Sequence, residues 1–111
     1  MNKEFNCPVE ATISLIGGKY KSVILFHLMG KTLRYSELHK KIPKATDKML
    51  AQQLRELEKD GLIKRTVYPV VPPKTEYNLT EFGESLSPIL NAMCNWGESY
   101  LNIPSQCMEE S

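Results

Sequence analysis

The stretch from Thr46 to Gly61, Thr-Asp-Lys-Met-Leu-Ala-Gln-Gln-Leu-Arg-Glu-Leu-Glu-Lys-Asp-Gly, constrains the chain most, because both its ends and both its faces are readable. Thr46 is a good N-cap, and Asp47 puts negative charge in the first turn, against the positive end of the helix dipole. Gly61 suits the left-handed position just past a helix end. Leu50, Leu54 and Leu57 recur at i, i+4 and i+7, so they share one face. At about 100° per residue, Lys48, Gln52, Arg55 and Lys59 fall on the opposite face, flanked by the small Ala51. The leucines would hold this helix to a domain while three cations and an amide face outward. The major groove of B-DNA admits such a helix, and it offers phosphates to Lys and Arg and base edges to Gln and Lys. The alternative is a helix face that meets only solvent.

The rest of the chain bears on that choice. Its 111 residues suit one domain, and a 41% hydrophobic content suits a packed core. The formal net charge is only +1, but it is unevenly spread. Residues 19–68 hold twelve Lys/Arg against five acids, while the remainder holds two Lys against eight acids. A basic middle with acidic flanks points to a local polyanion site. No apolar run approaches the roughly 18 residues of a membrane span, and the start lacks a signal-peptide core. A cytoplasmic chain without a membrane partner is expected, with Cys7, Cys94 and Cys107 as thiols.

In chain order, Cys7-Pro8 opens a helix, since proline suits the first helical position. Val9, Ile13 and Ile16 form its apolar stripe, and Gly17-Gly18 ends it. Ser22 is the expected cap of a second helix, apolar nearly all round and therefore central; His27 within it reads as a packed histidine. Leu33-Arg34-Tyr35 is short and extended, and Ser36 is the expected cap of a helix from Glu37 to Ile42. Pro43-Lys44-Ala45 then turns into the helix described first, giving a helix-turn-helix over 36–60. Residues 62–79 read as a two-stranded hairpin around Pro69-Val-Val-Pro-Pro-Lys74. A hairpin directly after a helix-turn-helix is a wing.

Thr80 is the expected cap of a long final helix. Phe82, Leu86, Ile89, Met93, Trp96 and Tyr100 are spaced as a seam that packs along another helix, and Pro88 should break the helix near Ser87. Leu90, Cys94 and Leu101 lie beside the seam. This is more apolar surface than a small monomer easily covers. A homodimer is expected, with Val9, Ile13 and the seam residues at its interface. The alternative is that the stripe covers the domain's own core. The last residues, from Ile103, read as a frayed tail.

The sequence resembles the HxlR-type regulators, bacterial winged-helix transcription factors related to the MarR group. The likeness spans about residues 7–101. It is carried by Cys7-Pro8, Gly17-Gly18-Lys19-Tyr20, Leu33 to Leu38, Met49 to Ile63, Pro72 to Thr80 and Trp96-Gly97. It departs at Tyr20, where the family usually has Trp, and at Ala45-Thr46, where it often has Ile-Ser. The resemblance implies a dimer on palindromic operator DNA, often a repressor. The fold expected is mainly α with a small β-hairpin: a winged helix-turn-helix with dimerisation helices at 7–18 and 80–103.

In that context Lys48 and Gln52 are candidates for base edges, and Arg55 and Lys59 for phosphates. Thr46 and Ser36 mark helix starts that suit a phosphate. Arg34, Tyr35 and Lys44 are further phosphate candidates, with Arg65 and Lys74 serving the wing. Cys7 stands at a helix start, whose partial positive charge favours a reactive thiol. The resemblance implies that it senses quinones, aldehydes or oxidants; the alternative is a thiol without a role.

No metal-ligand spacing, Gly-rich phosphate loop or nucleophile elbow is present. Neither a cofactor nor catalysis is expected. The readings left open are a winged-helix module that binds protein and, remotely, a small thiol enzyme built on Cys7.

Overall fold

A computed structural model describes residues 5–104. In chain order the elements are α1 (Pro8–Ile16), α2 (Lys21–Leu28), β1 (Leu33–Arg34), α3 (Tyr35–Lys41), α4 (Asp47–Lys59), β2 (Ile63–Tyr68), β3 (Lys74–Leu79), α5 (Glu81–Glu84) and α6 (Ser87–Leu101). The core gathers Ile24, Leu25 and Leu28 of α2, Leu38 of α3, the α4 leucines, Leu62 and Ile63, Tyr77 and Leu79 of β3, and Leu90 of α6. α2 is the buried centre that its composition predicts.

The ends of α4 follow the sequence signals. Thr46 Oγ1 accepts the Met49 N–H at 3.1 Å. At the other end Gly61 takes φ +79°, with its N–H donated to the Glu58 carbonyl and the Leu62 N–H to the Leu57 carbonyl, each at 3.0 Å. This is a Schellman cap, and its apolar contact is made by the buried Leu57 and Leu62. The chain thus leaves α4 turned directly into β2.

Several local expectations need correction. Ser22 lies inside the first turn of α2 and donates its hydroxyl to the Ile16 carbonyl at 3.0 Å, so it ties α2 to α1 instead of capping. α3 begins at Tyr35, one residue before the expected cap. Glu37 Oε1 accepts the Arg34 N–H at 2.8 Å, so a carboxylate three residues on does the work assigned to Ser36. Thr80 caps the short α5, accepting the Gly83 N–H at 3.0 Å. Pro88 then stands in the first turn of α6, so the break near Ser87 falls as expected.

The sheet has three antiparallel strands in the order β1-β3-β2, one more than the hairpin. Leu33 pairs with Tyr77 on one side of β3, and Ile63 pairs with Leu79 on the other. Gly83 is required where α5 crosses this region, because a Cβ there would run into the Leu62 carbonyl.

The cysteine expectation also changes. Cys7 is a free, exposed thiol, but Cys94 is disulfide-bonded. Folding brings sulfur atoms together irrespective of the compartment argument that favours three thiols. Cys107 lies outside the described residues.

Candidate nucleic-acid interface

α4 is anchored on one side only. Leu50, Leu54 and Leu57 are buried, while Lys48, Gln52, Arg55 and Lys59 are all exposed on the opposite face. Burying each leucine contributes about 1.5–3 kcal/mol, so the seam outweighs any single polar contact in fixing which face points out.

Polar contacts then fix the helix along its length. Gln53 Oε1 accepts the Tyr20 N–H at 2.8 Å, tying α4 to the turn before α2. Lys21, almost buried on α2, brings its ammonium to within 2.7 Å of Glu56 Oε1. Gln52 Nε2 donates to the other Glu56 oxygen at 3.2 Å. The hydrogen bond from Lys21, then that from Gln52, holds the Glu56 carboxyl below the usual carboxylate range. Sequence reading missed Lys21, Gln53 and Glu56. Their partners lie up to 35 positions away, and no local spacing marks them.

At the start of α4, Tyr35 donates its hydroxyl to Asp47 Oδ1 at 2.9 Å. His39 Nδ1 lies 3.2 Å from the same oxygen, and its Nε2 lies 2.9 Å from the Ala45 carbonyl. Burial first, then the bond to Asp47, pushes the Tyr35 phenol up to about 12. The Tyr35 hydroxyl is therefore committed within the fold. Arg34, Ser36, Lys44 and Thr46 are exposed around it.

Two recesses lie in this region, the first of them lined by α4. One, of about 380 Å³, brings Arg55 together with Arg65 of β2 beside Glu58. The other, of about 570 Å³, lies between Arg34-Tyr35-Ser36 and the wing residues Val70–Thr75. The wing is weakly basic. Lys74 sits 4.8 Å from the centre of the Tyr68 ring and 3.7 Å from Glu76 Oε2. The Glu76 hydrogen bond in turn raises the Tyr68 phenol. Val71, at the tip, is fully exposed.

Away from α4, Val9, Ile13, Phe82, Ile89, Met93, Trp96 and Tyr100 are exposed. Trp96 and Tyr100 stack with ring centres 5.5 Å apart, while 70% and 75% exposed. Leu86 differs, packing against the core. α6 meets the domain through the buried Leu90, while Ile89, Met93, Trp96 and Tyr100 of its seam stay exposed. Among the described residues no His/Cys/Asp/Glu group could hold a metal ion, and no helix is long and apolar enough to cross a membrane.

The family described as HxlR-like helix-turn-helix matches residues 15–105. The chain belongs to the HxlR-like family. The uncharacterized HTH-type transcriptional regulator YdeP of Bacillus subtilis is 54% identical over 94 residues, covering 85% of this chain and 73% of YdeP. The redox regulator HypR in its oxidized form superposes with a TM-score of 0.80 at 50% identity, covering 84% of this chain and 96% of HypR. The reduced transcriptional regulator YodB of B. subtilis gives 0.71 at 35% identity, covering 86% of this chain and 95% of YodB. HxlR-like proteins are transcriptional regulators and not enzymes, which sets the thiol-enzyme reading aside.

For this HxlR-like regulator, the Glu56 contact predicts a pH-dependent stability. A carboxyl lowered in the folded state stabilises fully above its unfolded pKa, and that contribution is lost as pH falls through the folded value. Wild type should exceed Glu56→Gln in denaturant midpoint near neutrality, and the gap should close on acidification. A gap that does not change with pH would contradict the Lys21–Glu56 assignment.

Proposed function

We propose that the protein is a dimeric, sequence-specific double-stranded DNA-binding regulator, in most settings a repressor, that reads a palindromic operator with α4. The observation that carries this reading is the single-sided anchoring of α4: leucines buried, Lys48, Gln52, Arg55 and Lys59 exposed. Lys48 and Gln52, in the N-terminal half, meet base edges, where Gln pairs bidentately with adenine. Arg55, Lys59, Arg34, Tyr35, Ser36, Lys44 and Thr46 serve the phosphate backbone, and Arg65 and Lys74 belong to the wing. Tyr35 acts there through Asp47, because its hydroxyl is already donated.

The regions 7–18 and 80–103 form the dimer interface. The exposed Val9, Ile13, Phe82, Ile89, Met93, Trp96 and Tyr100 support this, with Leu86 at its inner edge. Two-fold symmetry then sets two half-sites about one helical turn apart, roughly 34–36 Å.

Cys7 is the candidate redox sensor. It is a free, exposed thiol at the start of α1, and the HypR likeness supports the role. The effector is a small molecule or an electrophile, and the Cys7 thiol favours an electrophile or oxidant.

Arg55→Ala should weaken binding to every duplex and lower the salt slope by about 0.9 for each phosphate that the guanidinium neutralises. Gln52→Ala should instead relax base preference by about 1–3 kcal/mol at one position. Binding-site selection and salt titration check both. A salt-insensitive interaction would favour a protein-binding module instead. Separately, Cys7→Ser should keep its operator affinity yet resist release by diamide or a quinone. Release equal to wild type would remove Cys7 as the sensor.

A further inference from the structure

Three side chains from two helices link the inside of the domain to the outward face of α4. Lys21 of α2 is only 8% exposed, and an ammonium that deep is costly unless a counter-charge meets it. Glu56 meets it, with Oε1 2.7 Å from Lys21 Nζ. The other carboxylate oxygen, Oε2, accepts a hydrogen bond from Gln52 Nε2 at 3.2 Å. Both bonds favour the ionised carboxylate, and the Glu56 carboxyl is held below its ordinary range accordingly. Gln53, beside Gln52 on α4, accepts the Tyr20 N–H at 2.8 Å, so the helix and the start of α2 are fixed to each other next to this link. A carboxylate at the border of a face offered to phosphates works against binding. Here its charge is matched by Lys21, and its second oxygen meets the side chain assigned to a base edge.

We propose that Lys21 and Glu56 are positioning residues that fix the Gln52 amide end for end, so that Gln52 reads adenine on one strand only and distinguishes an A·T pair from T·A. This rests on the DNA-binding reading of α4 and of Gln52. A carboxylate only accepts, so it takes the NH2 end of the amide and turns Oε1 away. Glu56 stands about one helical turn beyond Gln52, which directs the NH2 end toward the C-terminal end of α4. One N–H is donated to Glu56. The other N–H and Oε1 stay open, and a donor beside an acceptor is what N7 and N6 of adenine require. The terminal torsion of a free glutamine is broad and close to two-fold. An unrestrained amide therefore presents either order, and the reverse order suits the adenine of an inverted pair. The bond to Glu56 also orders the side chain before the duplex arrives, which removes part of the cost of ordering it on binding. A surface bond between residues four apart on a helix is weak alone. Lys21 fixes Glu56 from beneath, and the bond strengthens where the duplex displaces water.

The experiment uses a duplex chosen by the wild-type protein in binding-site selection, and the base pair in it at which Gln52→Ala loses preference. Affinities for the A·T and T·A versions of that pair are compared for wild type, Glu56→Ala, Lys21→Met, Gln52→Ala and the variant combining Gln52→Ala with Glu56→Ala. The side-chain ¹⁵N–¹H NOE of Gln52 is measured in the free protein. Wild type should prefer one orientation by about fivefold or more. Glu56→Ala should lose most of that ratio, yet bind an unselected duplex as tightly as wild type or tighter, because a charge that repels phosphates has gone. Lys21→Met should lose part of the ratio. In the Gln52→Ala background, adding Glu56→Ala should leave the ratio where it is. The Gln52 NOE should lie near backbone values in wild type and fall in Glu56→Ala. A uniform loss of affinity for every duplex with the ratio kept would overturn the positioning role, as would an equal effect of Glu56→Ala with and without Gln52. A wild-type ratio in Lys21→Met would remove Lys21 from it. If Lys21→Met fails to fold, Lys21→Gln takes its place. Wild type without sequence preference at any pair would overturn base reading by Gln52 and this inference together. A Gln52-dependent preference that survives Glu56→Ala would overturn this inference alone.

Discussion

The burial of Leu50, Leu54 and Leu57 against the α2 centre is the constraint from which the rest of this molecule follows. A helix has only one side to give. Once three leucines have committed theirs, the residues half a turn away have no choice of surroundings. Removing one such leucine would cost about 2–5 kcal/mol, whereas a half-buried surface ion pair such as Lys74–Glu76 contributes about 0–1 kcal/mol. The apolar seam therefore decides orientation, and the polar contacts refine it.

That refinement is spread along the helix. Thr46 starts it, the Schellman cap at Gly61 stops it, and Gln53 and Glu56 tie its middle to the beginning of α2. Gln52 is itself restrained through Glu56. The surface offered outward is thus a set of side chains on a helix fixed at several points, which is what discrimination among base edges requires. The wing beside it is different in kind. Lys74, beside its loop, is engaged by Tyr68 and Glu76, and its tip is the apolar Val71.

How much can be read from the chain alone depends on the range of the interaction. The start and end of α4, its two faces and the break at Pro88 all arise within a few residues, and the sequence displays them directly. The exposed seam of α6 is legible for the same reason. What escapes a sequence reading is long-range. β1 is only two residues and exists because Tyr77 lies alongside. Lys21 looks like a surface lysine until Glu56 arrives from another helix. Ser22 and Ser36 carry the right hydroxyl for a cap, yet one bonds to Ile16 and the other is displaced by Glu37, whose longer carboxylate reaches the Arg34 N–H. The Cys94 disulfide is likewise a property of proximity in space.

The claim at the centre is that the outward face of α4 enters a DNA groove. A photo-crosslinking side chain placed at Gln52, compared with one at the exposed Asn95 of α6, tests it most directly. Position 52 should crosslink to bases in the major groove, at two symmetric places on a selected duplex, while position 95 should not react with DNA. Crosslinks from position 95 with none from position 52 would contradict the account.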